Sequence, residues 1–174
     1  MKERLYILLE GDDDEKFFKK VFKPILKEKY EVILCWPYAE ENKKIFINLV
    51  KSFKKEEADY FILGDLDDRD SVSTKKIELM ERSNNEADVN KIIIVVKIME
   101  GWYLAGISSR LSEHYSIVCL DNTDVMTIND FNEIVQGKVT SVNLFKSEIL
   151  REFNIEDAKR KNKSFDYFYK LLMS

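Results

Sequence analysis

Histidine, cysteine, proline and glycine are all scarce in this 174-residue chain, which has one His, two Cys, two Pro and five Gly. Cys35 and Cys119 have neither metal-ligand spacing nor the numbers for a disulfide framework, and both read as small core residues. His114 lies on a polar amphipathic stretch and is assigned no role. Gly137-Lys138-Val139-Thr140 lacks the upstream glycine of a phosphate loop, which argues against nucleotide hydrolysis of that kind. No apolar run is long enough to span a bilayer. Met1-Lys2-Glu3-Arg4 leads straight into a strand rather than a signal peptide, so a cytoplasmic location with no membrane partner is expected. Internal repeats and low-complexity linkers are absent as well. What is present is a chain with 45% hydrophobic and 34% charged residues, enough to bury a sizeable core. The net charge of -4 argues weakly against a nucleic-acid binder, although acids needed to hold a metal could account for much of it.

Hydrophobic periodicity predicts strands over 4–9, 31–35, 60–63 and 92–96, with a further one over 116–120. Between them, helical spacing predicts a stripe from Phe17 to Leu26 that Pro24 kinks or divides, and helices over 41–55, 73–82 and 100–110. Asp12 or Asp13 is placed to cap the first of these, and Trp36-Pro37-Tyr38 reads as a loop. Short helices over 128–135, 142–153 and 165–173 follow. Strands alternating with helices predict an α/β fold with a parallel sheet covered on both faces. The expected organisation is one compact unit, an α/β domain over 1–120 with a helical extension over 121–174 packed on it.

Asp59 to Asp70 passes from an apolar run to a dense acidic cluster within two residues. Gly64 is expected to end the strand, and strand alternation then sends Asp65 and Asp67 to one side. Adjacent carboxylates raise each other's pKa unless a cation neutralises them. A hard divalent ion such as Mg2+, which takes oxygen ligands and keeps several waters, fits that need. The competing reading is a polar loop in which Asp68 or Asp70 caps the next helix. Three predicted strand ends carry acid, however: Glu10 after the first, Asp65 and Asp67 after the third, Glu100 after the fourth. In parallel sheets ligands gather outside the carboxyl ends of the strands.

Leu9-Glu10-Gly11, Asp14 and Asp65-Leu66-Asp67 together resemble the Toprim domain of topoisomerases, primases and overcoming-lysogenization-defect (OLD) type nucleases. Glu10-Gly11-X-X-Asp14-X-X-Phe17 is most similar to the nuclease branch, with Asp13 where that branch carries Thr. Glu100-Gly101-Trp102-Tyr103-Leu104-Ala105 is similar to the Glu-Ser-Trp-Leu-Leu-Ala-Asp segment of small Toprim-like proteins of mobile-element and defence settings, with Gly101 in place of Ser. The resemblance implies a Toprim-like, Rossmann-like fold with a mainly parallel sheet of four to five strands, and a metal-dependent phosphodiester hydrolase acting on DNA or RNA. Within it Glu10 is expected as metal ligand and as general acid or base. Asp14, Asp65 and Asp67 are expected to hold one or two Mg2+ (or Mn2+) ions. Glu100 is expected as an outer ligand or the group that orients a water at the metal. Lys163 with Ser164, and Lys97, are candidates to offset phosphate charge. The topoisomerase and primase branches need further regions that the sequence does not suggest. Two readings from other classes stand beside this one. The first is a non-catalytic Toprim-like subunit that binds nucleic acid or works beside a partner ATPase or DNA-binding protein. The second is a receiver-like phosphoacceptor using Asp12, Asp65 and Lys97, opposed by the Asp-X-Asp pair where a receiver needs one acceptor. A sugar-nucleotide transferase holding Mn2+ through Asp-X-Asp is disfavoured by the length of the chain.

Overall fold

Leu5, Ile7, Leu8 and Leu9 are all fully buried on one strand, β1 (Lys2–Leu9). Because successive strand residues point to opposite faces, such a run requires cover on both. The structure, a computed structural model, describes residues 2–174, with side chains from Arg4 onward. It divides into two compact units, Met1–Ile94 and Val95–Ser174, where the sequence reading puts the boundary at 120.

In the first unit β1 pairs in parallel with β2 (Tyr30–Pro37) on one side and with β3 (Asp59–Asp65) on the other, Tyr6 lying opposite both Leu34 and Tyr60. With β4 (Ile92–Val95) the order is β2-β1-β3-β4, an all-parallel sheet. The chain moves one way from β1 to β2 and the other way to β3, so the strand order reverses between β1 and β3. Helices α1 (Asp12–Val21), α2 (Lys23–Leu26), α3 (Lys43–Lys55) and α4 (Val72–Arg82) connect these strands. Apolar stripes define the buried faces: Phe17, Phe18 and Val21 on α1; Phe46, Val50 and Phe53 on α3, with Phe53 stacked on Tyr6 at 4.2 Å. Pro24 starts α2 rather than bending one longer helix, as its missing N–H allows in a first turn.

Several local expectations are corrected. Gly64 does not end β3, which continues to Asp65. Trp36 and Pro37 belong to β2, paired with Leu8 and Leu9; an edge strand tolerates a proline that cannot donate. The N-cap of α1 is Gly11, with Asp12 and Asp13 already in its first turn, and α4 is capped by Ser71 rather than Asp68 or Asp70. Cys35 is half-buried and Cys119 exposed, so neither is a core residue.

The second unit holds α5 (Met99–Ala105), α6 (Ser109–His114), α7 (Ile128–Val135), α8 (Val142–Arg151), α9 (Ile155–Lys161) and α10 (Lys163–Met173). The single helix expected over 100–110 is two, because Gly106 closes α5 and the Ser108 hydroxyl caps α6 by accepting from the Leu111 N–H. Residues 116–120 form no strand. The core of this unit is aromatic: the Trp102 ring meets Phe165 edge-on at 5.4 Å and stacks against Phe168 at 6.0 Å. Its indole N–H donates to Ser164 Oγ, which also accepts from the Val96 N–H and donates to Asn162 Oδ1. No helix of the described residues is long and apolar enough to cross a membrane.

Candidate functional site

Glu10 is the first residue beyond β1, and its carboxylate reaches across to the end of β3. Its Oε2 accepts the backbone N–H of Asp65 at 3.0 Å, and its Oε1 accepts from the Lys75 ammonium at 2.8 Å. Those two contacts sit where the strand order reverses, the crevice in which parallel α/β sheets bind ligands. Lys75, one turn into α4, is only 5% exposed, and its ammonium is also 3.7 Å from Asp67 Oδ2. Arg69 approaches the same Asp67 oxygen at 3.3 Å while its Nε faces Glu78 at 3.2 Å. The first unit thus brings Glu10, Asp65 and Asp67 to one end of the sheet, with a lysine between two of the carboxylates.

Asp67 is not reached by strand alternation. It lies in the turn after β3 with φ +52°, a left-handed conformation that Asp and Asn adopt more readily than most residues. Partial burial raises its carboxyl pKa above the ordinary value, and the nearby Glu10 charge raises it further, against the opposing pull of Lys75 and Arg69. The buried Tyr38 phenol donates to the Leu63 carbonyl at 2.8 Å. Its pKa is pushed well up, first by burial and then by Glu10, with Asp65 and Asp14 adding to the effect. For both groups burial is the first cause, and nearby cations, Lys75 and Arg69 at Asp67 and Arg82 at Tyr38, pull the other way.

Gly64 makes room for the arrangement. A Cβ there would lie 3.0 Å from Leu79 Cδ1 and 3.1 Å from both Lys75 Cε and the Tyr38 hydroxyl, so the lysine stem crosses β3 where β3 has no side chain. Sequence reasoning missed Lys75. The available signal was its position one turn before the buried Leu79, on the inward stripe of α4, where a lysine has to find an acid.

Asp14, in the first turn of α1, accepts the Gly11 N–H through Oδ2 at 3.2 Å and so helps to close the start of that helix. Glu100 belongs to the second unit, where its Oε1 accepts from Lys146 at 2.7 Å. Lys146 is 10% exposed and lies over the rings of Tyr103 and Phe131 at 5.4 and 5.7 Å. Gly101 faces the Thr123 carbonyl, 3.1 Å from where a Cβ would stand, which explains glycine where the resembling segment has serine. Lys97 is half-buried. Lys163 is 90% exposed near Asp124, and Ser164 is occupied in the Trp102 network. The rest of the basic run is engaged within its own unit: Lys159 with Glu156, Arg160 with Asp157, and Lys161 buried beside Cys119.

The chemistry of Glu10, Asp65 and Asp67 fits a hard divalent ion, because all three supply carboxylate oxygen. Among the described residues no group of three or more His, Cys, Asp or Glu is already gathered around one point.

Among solved structures the chain is similar to the C-terminal region of the Burkholderia pseudomallei OLD protein, at 16% identity and a TM-score of 0.48 over 97% of this chain and 95% of that one. No family model and no curated protein matches it.

Proposed function

We propose that the first unit carries the active site of a Mg2+- or Mn2+-dependent phosphodiester hydrolase of Toprim type, acting on DNA or RNA. The observation that carries this reading is the Glu10 carboxylate, which spans the ends of β1 and β3 where the strand order reverses and brings Asp65 and Asp67 into the same negative corner. Glu10, Asp65 and Asp67 would hold the ion, with Asp14 at the adjacent helix start. When bound, a divalent ion supplies positive charge against the phosphate and assists the attack of water. Glu10, anchored by the Asp65 N–H, keeps its carboxylate at a fixed place, the condition for taking or giving a proton at the reacting oxygens. Arg69, 39% exposed at the rim, is paired with Asp67 and Glu78 and would have to leave one of them to meet a phosphate.

A second reading is favoured by Lys75: a site in which a buried lysine already bridges Glu10 and Asp67 suits a subunit that binds nucleic acid, or a partner ATPase or DNA-binding protein, without cutting. One experiment separates the two. Purified protein is incubated with plasmid DNA, single-stranded DNA and structured RNA in Mg2+, Mn2+ or EDTA, beside Asp65→Asn. Cleavage of any substrate that needs the ion and is lost in the variant supports the hydrolase. Retention of nucleic acid without cleavage supports the binding subunit.

A further inference from the structure

We propose that Lys75 is a tethered counter-ion that occupies a cation position of this site and must be displaced when a divalent ion binds. The proposal rests on the metal-site reading above and adds a residue that the resemblance does not supply. Its ammonium is 2.8 Å from Glu10 Oε1 and 3.7 Å from Asp67 Oδ2, so it bridges the two carboxylates much as a small cation would. The side chain is 5% exposed, and its stem lies over Gly64. A lysine costs much side-chain entropy to fix and much solvation to bury, and this one is held in both respects by contacts that end on candidate ligands. An ammonium and a divalent ion sharing one carboxylate repel each other strongly in a partly desolvated corner. A divalent ion held at Glu10 would therefore have to displace the ammonium. In the metal-free protein Lys75 holds Glu10 and Asp67 beside each other. It is a positioning residue, acting through Glu10 and Asp67.

The test uses the full chain and calorimetric titration with Mn2+ alone. Wild type is expected to bind, Lys75→Met and Lys75→Gln to bind about tenfold more tightly for want of the competing charge, and Glu10→Gln to lose the heat. If wild type binds and the lysine variants bind equally or more weakly, the counter-ion proposal fails while the acidic site stands. Absence of binding in wild type, or heat that persists in Glu10→Gln, removes both readings. A measurement on wild type alone guards against variants that do not fold. Amine-reactive labelling followed by mass spectrometry is expected to modify Lys75 slowly without metal and several-fold faster with Mn2+. Unchanged labelling in protein that binds Mn2+ overturns the displacement.

Discussion

Asp67 combines a left-handed backbone with a carboxyl whose pKa is raised, and both bear on its replacement. A group that holds its proton more tightly when folded adds stability that is complete below its unfolded pKa and is lost as pH rises through the folded value. Ionising Asp67 in the folded protein therefore carries a cost. Asp67→Asn removes that cost and keeps a residue suited to positive φ, so it is expected to melt above wild type at pH 7. The difference should narrow as pH falls toward about 4, the ordinary aspartate range. A variant that melts below wild type at pH 7 contradicts this account. Gly64→Ala should act in the opposite direction. The new methyl presses on Leu79, Lys75 and Tyr38 together, and a loss of about 1–3 kcal/mol is expected in urea unfolding. Glu10 and Asp65 could be picked out in the sequence because each stands at the end of an apolar run, and Asp67 because it lies two residues beyond Asp65. Lys75 could not, because its partners lie 65 and 8 residues away and only the fold brings them together.

At the scale of elements, strands and most helices were legible because the central strands are continuous apolar runs and the helices carry clean stripes. Their ends were less so. β3 extends through Gly64, and α5 stops at Gly106; both endings are set by close packing that a one-dimensional pattern does not contain, Gly106 lying where any Cβ would enter the Phe153 ring. Residues 116–120 have the composition of a strand but pair with none, and Val118 is 74% exposed. The start of α5 was read as a second contributor to the metal site, and Glu100 has a sufficient task inside its own unit, neutralising a lysine enclosed by two aromatic rings. Glu100→Gln keeps an acceptor but leaves the Lys146 charge without its carboxylate, and a loss of about 1–3 kcal/mol follows. If that is its whole role, the folded variant retains metal-dependent cleavage at the wild-type rate. A loss of turnover with unchanged melting would support Glu100 as a member of the site.

For the whole molecule the question is how a chain of net charge -4 would hold a polyanion. Proteins that rely on lysine and arginine for this release counterions and show affinities that fall steeply with salt. Here the one dense basic run offers little of that kind. Lys161 is buried, Lys159 and Arg160 face acids in their own helix, and Lys163 stands beside Asp124. At the ends of β1 and β3 three carboxylates, Glu10, Asp65 and Asp67, outnumber the two cations beside them, Lys75 and Arg69, so phosphate should be repelled from that corner in metal-free protein. Affinity for nucleic acid is then expected to depend on the divalent ion rather than on a basic surface. The check is fluorescence anisotropy with a labelled single-stranded oligonucleotide in EDTA and in Ca2+, an oxygen-seeking ion used here to measure binding apart from cleavage. Binding should appear with Ca2+ and be weak or absent in EDTA at about 0.1 M salt, where charges more than about 10 Å apart are largely screened. Asp65→Asn should weaken the Ca2+-dependent part. Equal affinity in EDTA and Ca2+, unaffected by Asp65→Asn, would mean that nucleic acid is held by a surface unrelated to these acids, and the hydrolase reading would lose its link between charge and substrate.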